Sequence, residues 1–166
     1  MRRRGGIGAA ALTVLVGCVQ PGGNAASDAT VPIARLASQG QCGGHNRPAV
    51  RWIANAGEWR DLYARINSQW MNPPSPPAVD FPREGVLLIA MGQRSSAGYG
   101  LTLADKVAVV RDGVLTVRVD WREPLPDRLR AQVMTSPCLL VAVPDAGFTR
   151  IEVVDQEERL RLEGER

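Results

Sequence analysis

The side chains able to act as nucleophile, base or metal ligand are few. There is one histidine, His45, in Gly43-Gly44-His45-Asn46, and there are three cysteines, Cys18, Cys42 and Cys138. Serine or cysteine catalysis needs a base within hydrogen-bond reach, and a single loop histidine is more often solvated than catalytic. Arg94-Ser95-Ser96-Ala97-Gly98 also lacks the Gly-x-Ser-x-Gly spacing that lifts a serine out on a strand-to-helix turn. A metal site wants two or three His, Cys, Asp or Glu close together, and Asp127 and Glu157-Glu158 stand without such partners. The acids alternate instead with arginines, as in Arg60-Asp61, Arg122-Glu123, Asp127-Arg128 and Glu157-Glu158-Arg159, the pattern of solvated ion pairs. No pair of carboxylates stands out for glycoside hydrolysis, so an envelope glycan hydrolase is the weakest reading. No phosphate-binding loop is present, and no catalytic residue, metal ligand or cofactor site is expected.

Cys18 is the one cysteine whose setting defines a reaction. A basic cluster (Arg2, Arg3, Arg4), an apolar stretch from Ile7 to Val16 and the small Gly17 form the three parts of a secretory signal peptide over residues 1–17. Ile7 to Val16 is half the ~20 apolar residues of a membrane-spanning helix, and no later segment approaches that length. Leu15-Val16-Gly17-Cys18 resembles the lipobox of bacterial lipoproteins, which implies a diacylglyceryl group on the Cys18 thiol and an acyl chain, such as palmitate, on its amine. At ~0.8 kcal/mol per buried methylene, two or more chains anchor stably where one is marginal. Val19, in place of an aspartate, implies the outer membrane, with the protein facing the periplasm. The precursor carries +3, but three of its twenty basic residues lie in the signal and none of its seventeen acidic ones, so the mature chain is neutral. Without a basic run it has no electrostatic footprint for nucleic acid. In an oxidising compartment Cys42 and Cys138 are expected to pair, closing a loop that would stabilise the fold by up to ~4.7 kcal/mol. The alternative is that Cys138, in Cys138-Leu139-Leu140-Val141, is a small buried hydrophobe.

The elements that must position these residues are mostly strands. Residues 18–39, rich in Gly, Ala, Ser and Pro, read as the lipidated cysteine and a flexible tether with a reach of roughly 25 Å. One domain, residues 40–155, follows. Pro48 to Ile53 has strand character. Asn55 and Glu58 fit a capping box, and Trp59, Leu62, Tyr63, Ile66 and Trp70 lie at helical spacing, predicting a helix that ends near Trp70 and packs its aromatic stripe on a sheet. Five prolines between Asn72 and Pro82 predict a stiff exposed loop. Strands are expected at Val86–Met91, Tyr99–Leu103, Lys106–Arg111, Leu115–Trp121, Cys138–Val143 and Phe148–Val154, with a tight hairpin at Asp112-Gly113. Residues 156–166 form a charged tail. The fold class is mainly β, with α+β as a variant: an antiparallel sandwich or sheet of about six strands with one packed amphipathic helix.

Between two of these strands lies Gly92-Gln93-Arg94-Ser95-Ser96-Ala97-Gly98-Tyr99-Gly100. It reads first as a long connection, and in a functional version Gly98, Tyr99 and Gly100 would form a contact surface. Met91-Gly92, Ser96 to Leu101, Asp112-Gly113, Val117 to Pro124 and Thr135 to Pro144 resemble, in order and spacing, the C-terminal domain of the protease complex subunit PrcB family. The likeness covers residues 85 to 145, with a weaker echo from Glu58 to Tyr63. The family usually has Thr-Gly-Gly-Tyr at Ser96-Ala97-Gly98-Tyr99 and an aromatic at Cys138. The resemblance implies a lipid-anchored, non-catalytic protein that binds and stabilises an envelope partner, a subtilisin-like protease complex at the cell surface. The alternative is a protease inhibitor that inserts the Pro73–Pro82 or Gly92–Gly100 loop into an active-site cleft.

Overall fold

The computed structural model describes residues 28–125 and 129–166. The signal peptide, Cys18, the start of the tether and Asp127 lie outside the described residues. Among these residues there are ten strands and one helix: β1 (Ala29–Pro32), β2 (Ala34–Gln39), β3 (Ala49–Ile53), α1 (Ala56–Ile66), β4 (Glu84–Ala90), β5 (Gly100–Leu103), β6 (Val107–Arg111), β7 (Val114–Arg122), β8 (Cys138–Pro144), β9 (Arg150–Val154) and β10 (Leu160–Glu165).

The two continuous apolar runs, β4 and β8, lie side by side in the middle of a four-stranded antiparallel sheet ordered β2-β8-β4-β3. They need no polar alternation because both of their faces are covered. Leu87, Ile89, Leu139, Val141 and Val143 point into a core shared with the second sheet, while Val86, Leu88, Ala90 and Leu140 point under α1. The second sheet, β1-β6-β7-β9-β10 with β5 on the far half of β7, is covered on one side only. Strand β7 shows it directly: Leu115, Val117, Val119 and Trp121 are buried, and the alternating Arg118, Asp120 and Arg122 are exposed. The result is three layers, helix on sheet on sheet. Every pairing is antiparallel except β7 with β9. The β6–β7 hairpin turns at Asp112 and Gly113, both with positive φ (51° and 75°), the conformation the dipeptide predicts.

Four expectations are corrected. The stretch read as tether contains β1 and β2, which pair with β6 and β8 far along the chain, and the buried Ile33 between them marks where the backbone passes from one sheet to the other. Its small side chains hold little periodicity, so the ladder partners decide its structure. The charged tail contains β10, antiparallel to β9 with a bulge between Leu160 and Leu162. The strand count rises to ten accordingly. The helix stops at Ile66, four residues before Trp70, capped by Asn67, whose backbone N–H and side-chain amide both donate to Tyr63 O. At its start Asn55 accepts from the Glu58 N–H at 2.9 Å, but the Glu58 carboxylate pairs with Arg51 rather than closing a capping box.

Trp59, Leu62, Tyr63 and Ile66 form the buried face of α1. The proline segment is tied to that helix: Trp59 Nε1 donates to Pro77 O at 3.0 Å, and Val79 and Phe81 pack against the same core. It is a strap as much as an exposed loop. Cys42 and Cys138 are joined by a disulfide, with Cα atoms 5.8 Å apart, which ties the β2–β3 connection to the first residue of β8.

Candidate functional site

Three connections meet at one end of the sandwich: residues 40–48, residues 91–99 and the described parts of the β7–β8 connection, residues 123–125 and 129–137. Backbone bonds lace them together. Arg94 and Thr135 exchange a pair at 2.7 and 2.8 Å, Ala97 N–H donates to Ala131 O, Gln93 N–H to Asn46 O, and Ser136 N–H to Gly40 O. The Ser136 hydroxyl lies 3.1 Å from both Cys42 O and His45 O. A loop bonded this way is a preformed surface rather than a free lasso.

Within it the three residues singled out from sequence do come together. Gly98 has φ of +103°, and a Cβ there would stand 2.9 Å from the Pro124 ring, so the turn needs both the backbone freedom and the missing side chain. Gly100 lets the Arg122 guanidinium approach, since a Cβ would lie 2.6 Å from it. Tyr99 packs its ring against the inter-sheet core, with the Arg94 guanidinium 5.2 Å from the ring centre. It lines a cleft of about 340 Å³ between β2 and β5, together with Ser38, Thr102, Asp120 and Arg122. Three of these are already engaged: Ser38 Oγ donates to Leu101 O, and Thr102 Oγ1 to Asp120 Oδ2 at 2.9 Å.

Two further residues weighed from the sequence, Ser96 and His45, lie at the same end. Ser96 is buried, its carbonyl accepting from Thr135 Oγ1. Burial first, then the charges of Arg51 and Arg65, hold the His45 imidazole below its usual range. Among the described residues no group of three or more His, Cys, Asp or Glu is placed to hold a metal ion.

Two features escaped sequence reasoning. The β7–β8 connection supplies four of the eight exposed large hydrophobics among the described residues, Leu125, Leu129, Val133 and Met134, in a stretch with no period to mark it. The second is Asp155, at the end of the expected domain, for which the sequence marked no role. Its carboxylate is fully buried, accepting from the backbone N–H groups of Glu157 and Arg159 and from the guanidinium groups of Arg159 (2.9 Å) and Arg161 (2.7 Å). Burial alone would push its pKa up; those four donors outweigh it and hold it well below the usual carboxylate range. Arg161 also lies over the Trp121 ring, and Gln156 Oε1 accepts from the backbone N–H of Trp121, so the cluster clamps the end of β7 to the β9–β10 turn. With its oxygens satisfied internally, Asp155 is a structural lock.

Compared with known proteins, residues 86–144 match the family model of the PrcB C-terminal domain. That segment runs from β4 to the end of β8 and includes both central strands, Gly98-Tyr99-Gly100 and the exposed apolar connection. No curated protein and no solved structure matches the chain.

Proposed function

With a PrcB C-terminal domain over residues 86–144, we propose that this chain is a non-catalytic accessory subunit that binds and stabilises an envelope protein, a secreted protease in the first instance. The observation that carries this reading is the family match, since PrcB denotes a protease complex subunit. The geometry agrees with it in kind. The matched segment presents a laced end on which Leu125, Leu129, Val133 and Met134 are exposed, and interfaces are centred on such apolar side chains. In this reading Cys18 carries the lipid, and the protein sits on the outer membrane facing the periplasm.

The experiment is an affinity pull-down of the tagged lipoprotein from gently solubilised envelopes, with mass spectrometry of the eluate. A stoichiometric protease whose activity lasts longer in the complex supports the accessory role. A protease that loses activity on binding makes the chain an inhibitor instead, and an eluate with no enriched protein removes the partner reading. Cys18→Ser should release the protein from the membrane fraction; continued sedimentation with membranes would remove the lipid anchor.

A further inference from the structure

A second cleft, of about 540 Å³, lies on the other side of Gln39 and Gly40, between the end of α1 and the start of the proline strap. None of its lining falls within residues 86–144, although Gln39 and Gly40 also line the cleft beside Tyr99. In a chain that is 22% charged, no lining residue carries a charge, and five of the chain's twelve Asn and Gln residues gather there: Gln39, Gln41, Asn67, Gln69 and Asn72. Beside them stands Trp70, 61% exposed. The other three tryptophans each lie against an aromatic ring or a guanidinium, whereas Trp70 opens on the cleft.

The arrangement is held in place. Asn67, almost fully buried, donates to Tyr63 O at 2.8 Å and receives the Gln39 amide on Oδ1 at 3.2 Å. Gln41 donates one amide hydrogen to Met134 O at 2.7 Å, and the backbone N–H of Trp70 bonds Asn67 O at 3.0 Å, which fixes the main-chain turn that follows the helix. The heads of Gln39 and Gln41 are thus preset, with a carbonyl oxygen and a second amide hydrogen left on each.

A ligand that suits this lining needs an apolar face for the indole and a rim of neutral groups that both donate and accept. A charged ligand would be desolvated without a counter-charge, and a purely apolar one would leave the amides unpaired. A pyranose ring has both required features, C–H groups on its face and hydroxyls at its rim. The volume lies in the range of small-ligand sites and suits one or two such rings. We propose that this cleft binds a neutral glycan, its ring stacked on Trp70 and its hydroxyls bonded by Gln39, Gln41, Gln69 and Asn72.

The test is a titration of the purified protein with chitotetraose, cellotetraose and maltotetraose, read by tryptophan fluorescence and calorimetry. At least one should bind saturably in the millimolar range or tighter, with a change in emission. Trp70→Ala should weaken binding tenfold or more and Gln41→Ala severalfold, with the melting temperature unchanged for Trp70→Ala because that side chain is exposed. The proposal is overturned if none of the three sugars binds, if binding survives Trp70→Ala undiminished, or if an acidic oligosaccharide such as oligogalacturonate binds more tightly than all three.

Discussion

The central sheet presents two buried faces that are built differently. Toward the second sheet, Leu87, Ile89, Leu139, Val141 and Val143 meet side chains from strands of both sheets, pairing segments far apart in the chain. Toward the helix, Val86, Leu88 and Leu140 meet one eleven-residue helix and its strap, with the Cys42–Cys138 disulfide set into the layer. Each side has its own lock, covalent under the helix and ionic at Asp155 on the rim of the second sheet. The difference teaches that the sandwich holds itself by interdigitation, while the single short helix is fastened to it, so that the helix layer should open first.

Strand β4 offers the sharpest way to break that comparison, because Leu87 and Leu88 are neighbours of the same type, equally buried, on opposite faces. Leu87→Ala should cost about 4 kcal/mol in urea unfolding, since two sheets cannot close on the void, and Leu88→Ala about 2–3 kcal/mol, since the helix can settle toward it. Equal losses would abolish the distinction. Next in size, replacing both Cys42 and Cys138 by Ala should cost about 2–4 kcal/mol and speed amide exchange in α1 far more than in β7. Labelling of denatured, unreduced protein should find neither thiol free; full labelling of both would remove the covalent lock.

The ionic lock predicts a pH dependence of definite sign. Because the folded pKa of Asp155 is depressed, its stabilisation is complete above the unfolded value near ~4 and drains away as the pH falls toward the lower folded value. Melting temperature against pH should therefore drop more steeply below pH ~4 in the wild type than in Asp155→Asn, and parallel curves would contradict the assignment. Smallest is the strap: Trp59→Phe removes the bond to Pro77 O and should cost about 1 kcal/mol, with faster proteolysis between Asn72 and Pro82 as its readout.

Much of the candidate site was legible because its residues are close in sequence. Gly98, Tyr99 and Gly100 stand in one short motif, and the structure places all three at the same end of the sandwich. The rest was not, because its parts come from separate segments. The amide cleft joins the end of β2 to residues just past α1, and Trp70, whose spacing continues the helical stripe, is exposed because Asn67 ends the helix first.

What the sequence determined by itself is what local period and turn chemistry encode: the apolar runs of β4 and β8, the Asp112-Gly113 hairpin, the helix start at Asn55 and the mainly β class. Each is specified by neighbours a few residues away, whose spacing commits a face or a turn whatever the rest of the chain does. Only the tertiary structure decided that residues 29–32, 34–39 and 160–165 are strands, that Asp155 is buried and that Trp70 opens on a cleft of amides. The strands rest on ladder bonds to partners remote in sequence, which no window of the sequence contains, whereas the Asp155 donors are near in sequence and only the folding of the β9–β10 turn against β7 buries the carboxylate they meet.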